Sequence, residues 1–226
     1  MARRRKRVTG ILFDIDGTLI DSNDIHAEAW VEAFSEFGKN IPFKLMRSQI
    51  GKGGDLLVPD LLNAREMQDF GETLQKRRAT IFKATWMDQI KPFKGIKQAL
   101  EVLQNRGVRM ALASSANPDE VKYYIELMKI GELIETSTSA DDAKFSKPSP
   151  EIFQAALLKL GTSKRQTLVV GDTPWDILAA HRCALPIAAV RSGGFERSTL
   201  TRAEFIFSSV HTLVKRIEKI DDYFNE

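Results

Sequence analysis

Apolar and polar positions follow two different periods along this chain, and the change between them divides it. From Val8 to Phe13 the positions are mostly apolar, which predicts a short buried strand. Directly after it the period becomes helical. Ile25, Ala29, Ala33, Phe34 and Phe37 recur at helix spacing behind Asn23 or Asp24 as cap, and Gly38 closes the segment. Two short helical pieces, about 43–49 and 56–62, flank the glycine-rich loop Ile50-Gly51-Lys52-Gly53-Gly54-Asp55. A longer helix is expected over about 65–90, with Gly71 as its weak point and a stop before Lys91-Pro92.

From Pro92 onward strands and helices alternate. Helices are expected over 96–105, from Asn117-Pro118, from Ser149-Pro150 to Leu160, over 175–182 and over 211–224. Strands are expected over 108–113, 133–136 (the weakest), 167–170, 187–190 and 205–207. Such alternation implies parallel pairing with helices on both faces. The fold class is therefore α/β, a doubly wound parallel sheet of Rossmann-like type, with a small helical insertion after its first strand. The expected division is an α/β core at 1–19 and 92–226 and a helical cap at 20–91.

Composition changes this picture little. The 226 residues suffice for one domain with an insertion, and 43% hydrophobic against 28% charged is ordinary for a globular protein. No apolar run is long enough for a membrane helix, so no membrane partner is expected. The start lacks the apolar stretch of a secretory signal. The five cations Arg3, Arg4, Arg5, Lys6 and Arg7 exceed the net charge of +3, so the remainder is slightly acidic. The basicity belongs to a terminal arm rather than to a surface, and no nucleic-acid partner is expected. Cys183 is the only cysteine, which precludes an intrachain disulfide and fits a cytoplasmic location.

The chemistry gathers where strands end, because open α/β sheets bind ligands beyond the carboxyl ends of their strands. The first strand is followed by Asp14 and Asp16, and Gly17 permits the bend both need to face one pocket. Two buried carboxylates there call for a hard divalent cation. Ser114, Ser115 and Asn117 follow the second main strand, Lys147-Pro148 precedes a helix, and Asp172 and Asp176 follow the strand at 167–170. Acids, a hydroxyl and a lysine converging on one edge suit phosphoryl transfer, in which an anionic ester must be neutralised and held.

The segments FDIDGTL, ALASSAN, KPSP and GDTPWD, in this order, resemble the four motifs of the haloacid-dehalogenase superfamily, and the helical insertion sits where that family places its α-helical cap. The resemblance implies that Asp14 is a nucleophile forming an aspartyl-phosphate and that Asp16 is the general acid/base. It implies that Ser114 and Lys147 position the phosphoryl group. Asp172 would bind Mg2+ beside Asp14 and the backbone carbonyl of Asp16, with Asp176 supporting that site. Thr18, Ser115, Asn117, Lys52 and His26 are the candidate substrate contacts.

His26 resembles the histidine that couples cap closure to the acid/base residue in β-phosphoglucomutase-like members. It reads equally as a partly buried helix histidine. Lys52 could meet a substrate anion or remain a surface lysine. The leading expectation is a magnesium-dependent phosphatase for a small phosphorylated metabolite, of phosphoglycolate or sugar-phosphate type. A β-phosphoglucomutase-like phosphotransferase is the alternative, and a non-catalytic binding protein on the same fold is a third reading. Substrate and oligomeric state, monomer or homodimer, stay open.

Overall fold

The computed structural model describes residues 7–225, and the cations Arg3 to Lys6 lie outside the described residues. The first strand, β1, is Gly10–Phe13, buried throughout. A tight loop leads to the two-residue strand β2, Ile20–Asp21, and then to α1, Asn23–Glu36. Next come α2, Phe43–Gln49, and α3, Gly54–Leu61. A short α4, Ala64–Glu66, opens on an Asn63 capping box and leads into α5, Glu72–Ile81.

The expected continuous helix over 65–90 is thus a run of pieces. Wide π turns at Met67–Gly71 and Phe82–Trp86 bracket α5, each adding a residue and rotating the helix face beyond it. The strand β3, Lys91–Pro92, then returns antiparallel to β2, pairing Ile20 with Pro92 and Asp21 with Lys91. Both crossings into the helical insertion are therefore tied into one ribbon, which apolar periodicity cannot announce in strands of two residues.

The remainder runs α6 (Ile96–Asn105), β4 (Arg109–Ala113), α7 (Pro118–Met128), β5 (Thr136–Thr138), α8 (Glu151–Leu160), β6 (Thr167–Gly171), α9 (Pro174–Arg182), β7 (Ile187–Val190), β8 (Phe205–Phe207), α10 (Val210–Lys215) and α11 (Ile217–Tyr223). Two expectations need correction. The weak strand lies at Thr136–Thr138 rather than 133–136, because Leu133 belongs to a turn closed by its N–H on the Ile130 carbonyl. The last helix breaks at Arg216, which leaves helical geometry at φ −118°, with no glycine or proline to mark the place.

The main sheet has the order β5-β4-β1-β6-β7-β8 with every neighbouring pair parallel. Without the ribbon this is the doubly wound order 3-2-1-4-5-6, whose switch point falls between β1 and β6. Alternate residues of each strand feed opposite layers: Ile11 and Phe13 face one apolar core, Leu12 the other. A third apolar cluster, around Trp30, Phe34, Met46, Leu57 and Leu74, lies within the insertion. No described helix is long and apolar enough to cross a membrane.

Candidate active site

The switch point places the ends of β1 and β6 side by side, and with them Asp14 and Asp172, at 5% and 0% exposure. Their oxygens converge on one hydroxyl. Thr18 Oγ1 lies 3.3 Å from Asp14 Oδ2 and 3.4 Å from Asp172 Oδ1. Asp176 joins them, since a ligand oxygen from each of the three acids lies within 4.8 Å of the others.

Lys147 reaches into this cluster, ion-paired to Asp14 Oδ1 and to Asp176 Oδ1, the latter at 2.8 Å. Asp176 is the third residue of α9, where its Oδ2 accepts from the N–H and hydroxyl of Thr173 in a capping box. Both of its oxygens are thus engaged, so Asp176 holds Lys147 and the helix start, while the oxygens facing Thr18 are those of Asp14 and Asp172.

Burial and the neighbouring Asp176 and Asp16 charges push the Asp14 carboxyl up to about 7, against the pull of Lys147. Burial and the charges of Asp14 and Asp176 likewise raise Asp172 well above the usual carboxylate range. A cation between their oxygens would favour the ionised forms of both. All-oxygen, acid-rich donors fit Mg2+, and Asp14 with Asp172 would hold it.

The backbone is shaped around Asp172. A Cβ at Gly17, where φ is +71°, would sit 2.3 Å from Asp172 Oδ2, and one at Gly193 would sit 1.7 Å from it. Both positions therefore need glycine. Asn23 Nδ2 completes the clamp, donating to Asp172 Oδ2 at 2.7 Å and to the Gly193 carbonyl at 3.0 Å.

Asn23 and His26 stand three apart at the start of α1, so one face of the helix carries both toward the acids. His26 Nε2 meets Asp16 Oδ1 at 2.8 Å, and Ser22 Oγ donates to the same oxygen at 2.6 Å. Burial opposes ionisation of Asp16, but His26 and the Ser22 bond outweigh it and hold the carboxyl below its usual range. On the other ring edge Arg78 Nη2 lies 2.5 Å from His26 Nδ1. A guanidinium only donates, so Nδ1 accepts and the ring proton sits on Nε2, pointing at Asp16.

Above the acids a small cleft of about 130 Å³ opens between sheet and insertion. Asp14, Asp16, Lys147, Ser115 and Glu120 line it from the sheet side, and His26, Trp30, Lys52 and Arg78 from the insertion. Thr18 and Asn117, expected as substrate contacts, are used elsewhere. Thr18 is fully buried against the acids, and Asn117 caps α7 by accepting from the Glu120 N–H at 2.9 Å. Ser114 is also buried, its Oγ accepting from Ala116 N–H at 3.1 Å, while Ser115 reaches the cleft. Lys52 lines the cleft with its ammonium on Gln49 Oε1 at 2.6 Å and Asp60 Oδ2 at 2.5 Å, over the Trp175 ring.

Sequence reasoning missed four contributors. In the sequence Asn23 reads only as a helix cap, and Ser22, Gly193 and Arg78 carry no expected role in the site. Only the position of Ser22 and Asn23, straight after the double-aspartate loop, offered a signal.

A doubly wound sheet with an acid cluster and a lysine at its switch point, under a helical insertion, defines a hydrolase of haloacid-dehalogenase type. The chain belongs to the haloacid dehalogenase-like hydrolase family, whose profile matches residues 11–190. It is 32% identical to the pyrophosphatase PpaX of Oceanobacillus iheyensis over 184 residues, covering 80% of this chain and 82% of that one. It is 26% identical to the phosphorylated carbohydrates phosphatase of Thermotoga maritima over 203 residues, covering 90% of this chain and 86% of that one. In structure it resembles a hydrolase from Pseudomonas syringae at a TM-score of 0.84 and 28% identity, covering 94% of this chain and 99% of that one.

Proposed function

We propose that this protein is a magnesium-dependent phosphatase that hydrolyses a small phosphorylated metabolite through an aspartyl-phosphate, acting in the cytoplasm. The observation that carries the reading is Asp14 itself. It is a cleft-lining carboxylate with one oxygen held by Lys147 and the other turned toward Asp172. The bound cation would neutralise phosphoryl oxygens beside Asp14 and Asp172.

In the first step an Asp14 oxygen forms a bond to phosphorus as the bond to the leaving oxygen breaks. Asp16 enters this step protonated, against the Ser22 and His26 contacts that favour its ionised form, and gives that oxygen its proton. In the second, Asp16 takes a proton from water, whose oxygen attacks phosphorus and releases phosphate and free Asp14. Lys147 offsets the charge on Asp14 and on the phosphoryl group. His26, with its proton fixed on Nε2, aims and holds Asp16. We assign residues 20–91 to a cap domain over a core at 1–19 and 92–226, with the ribbon of β2 and β3 as its hinge, and closure excludes water from the transfer.

The test is phosphate release. Protein with Mg2+ is expected to hydrolyse a generic aryl phosphate, EDTA to stop it, and Asp14→Asn to lose at least about 10³-fold in kcat with its circular dichroism unchanged. A variant retaining most of the wild-type rate would remove Asp14 from the mechanism. The second reading, a sugar-phosphate mutase, is favoured by one feature: the chain from Arg78 through His26 to Asp16 ties the insertion to the proton-transfer residue. Interconversion of sugar phosphates without phosphate release would favour it.

A further inference from the structure

The similar proteins divide on one point. Pyrophosphate leaves as a second anion, a carbohydrate as a neutral alcohol. Resting on the phosphatase reading, we infer that Arg78 is an oxyanion receptor, and that the substrates of this protein carry a second negative group, phosphoryl or carboxylate, on the leaving side.

Arg78 projects from α5 into the cleft wall opposite Asp14 and Lys147. Its guanidinium lies 5.2 Å from the centre of the Trp30 ring and 4.7 Å from that of Phe82, which fix its plane. Its sole hydrogen-bond partner among the described residues is His26 Nδ1, a neutral acceptor. Nε is shielded from solvent and has no partner among the described residues.

Asp16 and Glu120 attract it from a distance, yet neither forms a salt bridge with it. A guanidinium cannot shed its charge to escape this situation. A half-buried cation without an ion-pair partner, held in a fixed plane with a shielded Nε, is suited to a planar carboxylate or a phosphoryl face. Ser115 supplies a second unused group, a buried Oγ without a partner on the cleft wall facing the insertion. The other insertion cation lining the cleft, Lys52, is already taken by Gln49 and Asp60. Arg78 is therefore the group on that wall with donors to spare.

The experiment compares kcat/KM for inorganic pyrophosphate, phosphoglycolate and glycerol 1-phosphate in wild type and Arg78→Met. In wild type at least one of the two anionic-leaving substrates should exceed glycerol 1-phosphate by about tenfold or more, the worth of one charge-assisted hydrogen bond. In Arg78→Met that ratio should fall by about the same factor, and Arg78→Lys should restore part of it. Preference for pyrophosphate names a phosphoryl ligand and preference for phosphoglycolate a carboxylate.

Equal losses on all substrates in Arg78→Met would reduce Arg78 to a support for His26 and overturn the inference. Wild-type preference for glycerol 1-phosphate would overturn it without any variant. Absence of hydrolysis of every phosphate compound would instead overturn the phosphatase reading beneath it.

Discussion

The two walls of the cleft are built on opposite terms. On the sheet side the acids beside Lys147 are held by side-chain contacts: Lys147 lies between Asp14 and Asp176, Asn23 donates to Asp172, and Thr173 donates to Asp176. On the insertion side a half-buried guanidinium has one neutral partner and, among the described residues, an unused Nε. The satisfied wall is already organised for one reaction, since preorganised charge does its work without rearranging during the transfer. The unsatisfied wall is completed by the ligand that binds there. If Arg78 receives the leaving group as inferred above, reaction type and substrate choice reside in different parts of the chain.

The largest expected effect comes from breaking the satisfied wall without touching an acid. Gly193→Ala would drive a methyl to within 1.7 Å of Asp172 Oδ2, in the place where Asn23 also donates. Asp172 must shift, so the Mg2+ concentration giving half-maximal activity should rise by about 10- to 100-fold, as when other supporting groups around a metal are lost. Titration of activity with Mg2+ measures it. An unchanged midpoint would mean that Asp172 tolerates movement and that the sheet side is less rigid than its contacts imply.

Legibility in the sequence divides along the same line. Asp14, Asp16 and Asp172 could be found because strand ends are predictable from apolar runs, and the switch point gathers the residues just beyond those ends; Lys147, well past β5, was found by its place before a helix and by the KPSP motif. The layout of the core was readable for the same reason: β1 is buried on both faces and reads as a continuous apolar run. Arg78 could not be found this way. Its place depends on a π turn at Met67–Gly71 that rotates α5, and on the packing of Trp30 and Phe82, which are tertiary facts. The ribbon of β2 and β3 and the break at Arg216 escaped similarly, the first too short for periodicity and the second without glycine or proline.

A smaller effect should come from loosening the join between the walls. Ser146, next to Lys147, receives the Gly53 N–H at 3.0 Å on its Oγ and donates that hydroxyl to Asp55, so the glycine-rich loop is clasped to the loop of the sheet-side lysine. Arg47 makes a similar reach, from Asp24 to the Gly193 carbonyl. Ser146→Ala removes the two hydroxyl contacts of the first clasp and leaves the Ser146 N–H on Asp55 Oδ2 at 3.1 Å. KM should rise about three- to tenfold with kcat changed less, because the loss is of the closed arrangement rather than of a transition-state contact. Small-angle scattering with a phosphate analogue should show less compaction than in wild type. Equal compaction and unchanged KM would count against closure through this contact.

The smallest effect tests whether the insertion-side cation is truly left uncompensated. Glu120, at 8% exposure, is the carboxylate nearest in role to a partner for Arg78. Burial raises its pKa, and the attraction of Arg78 does not bring it back down. A carboxyl whose folded pKa lies above its unfolded value makes the folded state bind more protons. Stability therefore falls as pH rises from the unfolded pKa through the folded one. Glu120→Gln removes that penalty, so its melting temperature at pH 7 to 8 should exceed wild type by roughly 2–4 °C per kcal/mol relieved. The gap should close as pH drops below about 4, where the wild-type carboxyl is protonated in both states. Destabilisation of Glu120→Gln at pH 7 would show the opposite balance. Attraction to Arg78 would then outweigh burial, the cation would have its counter-charge within the protein, and the contrast between the walls would lose its basis.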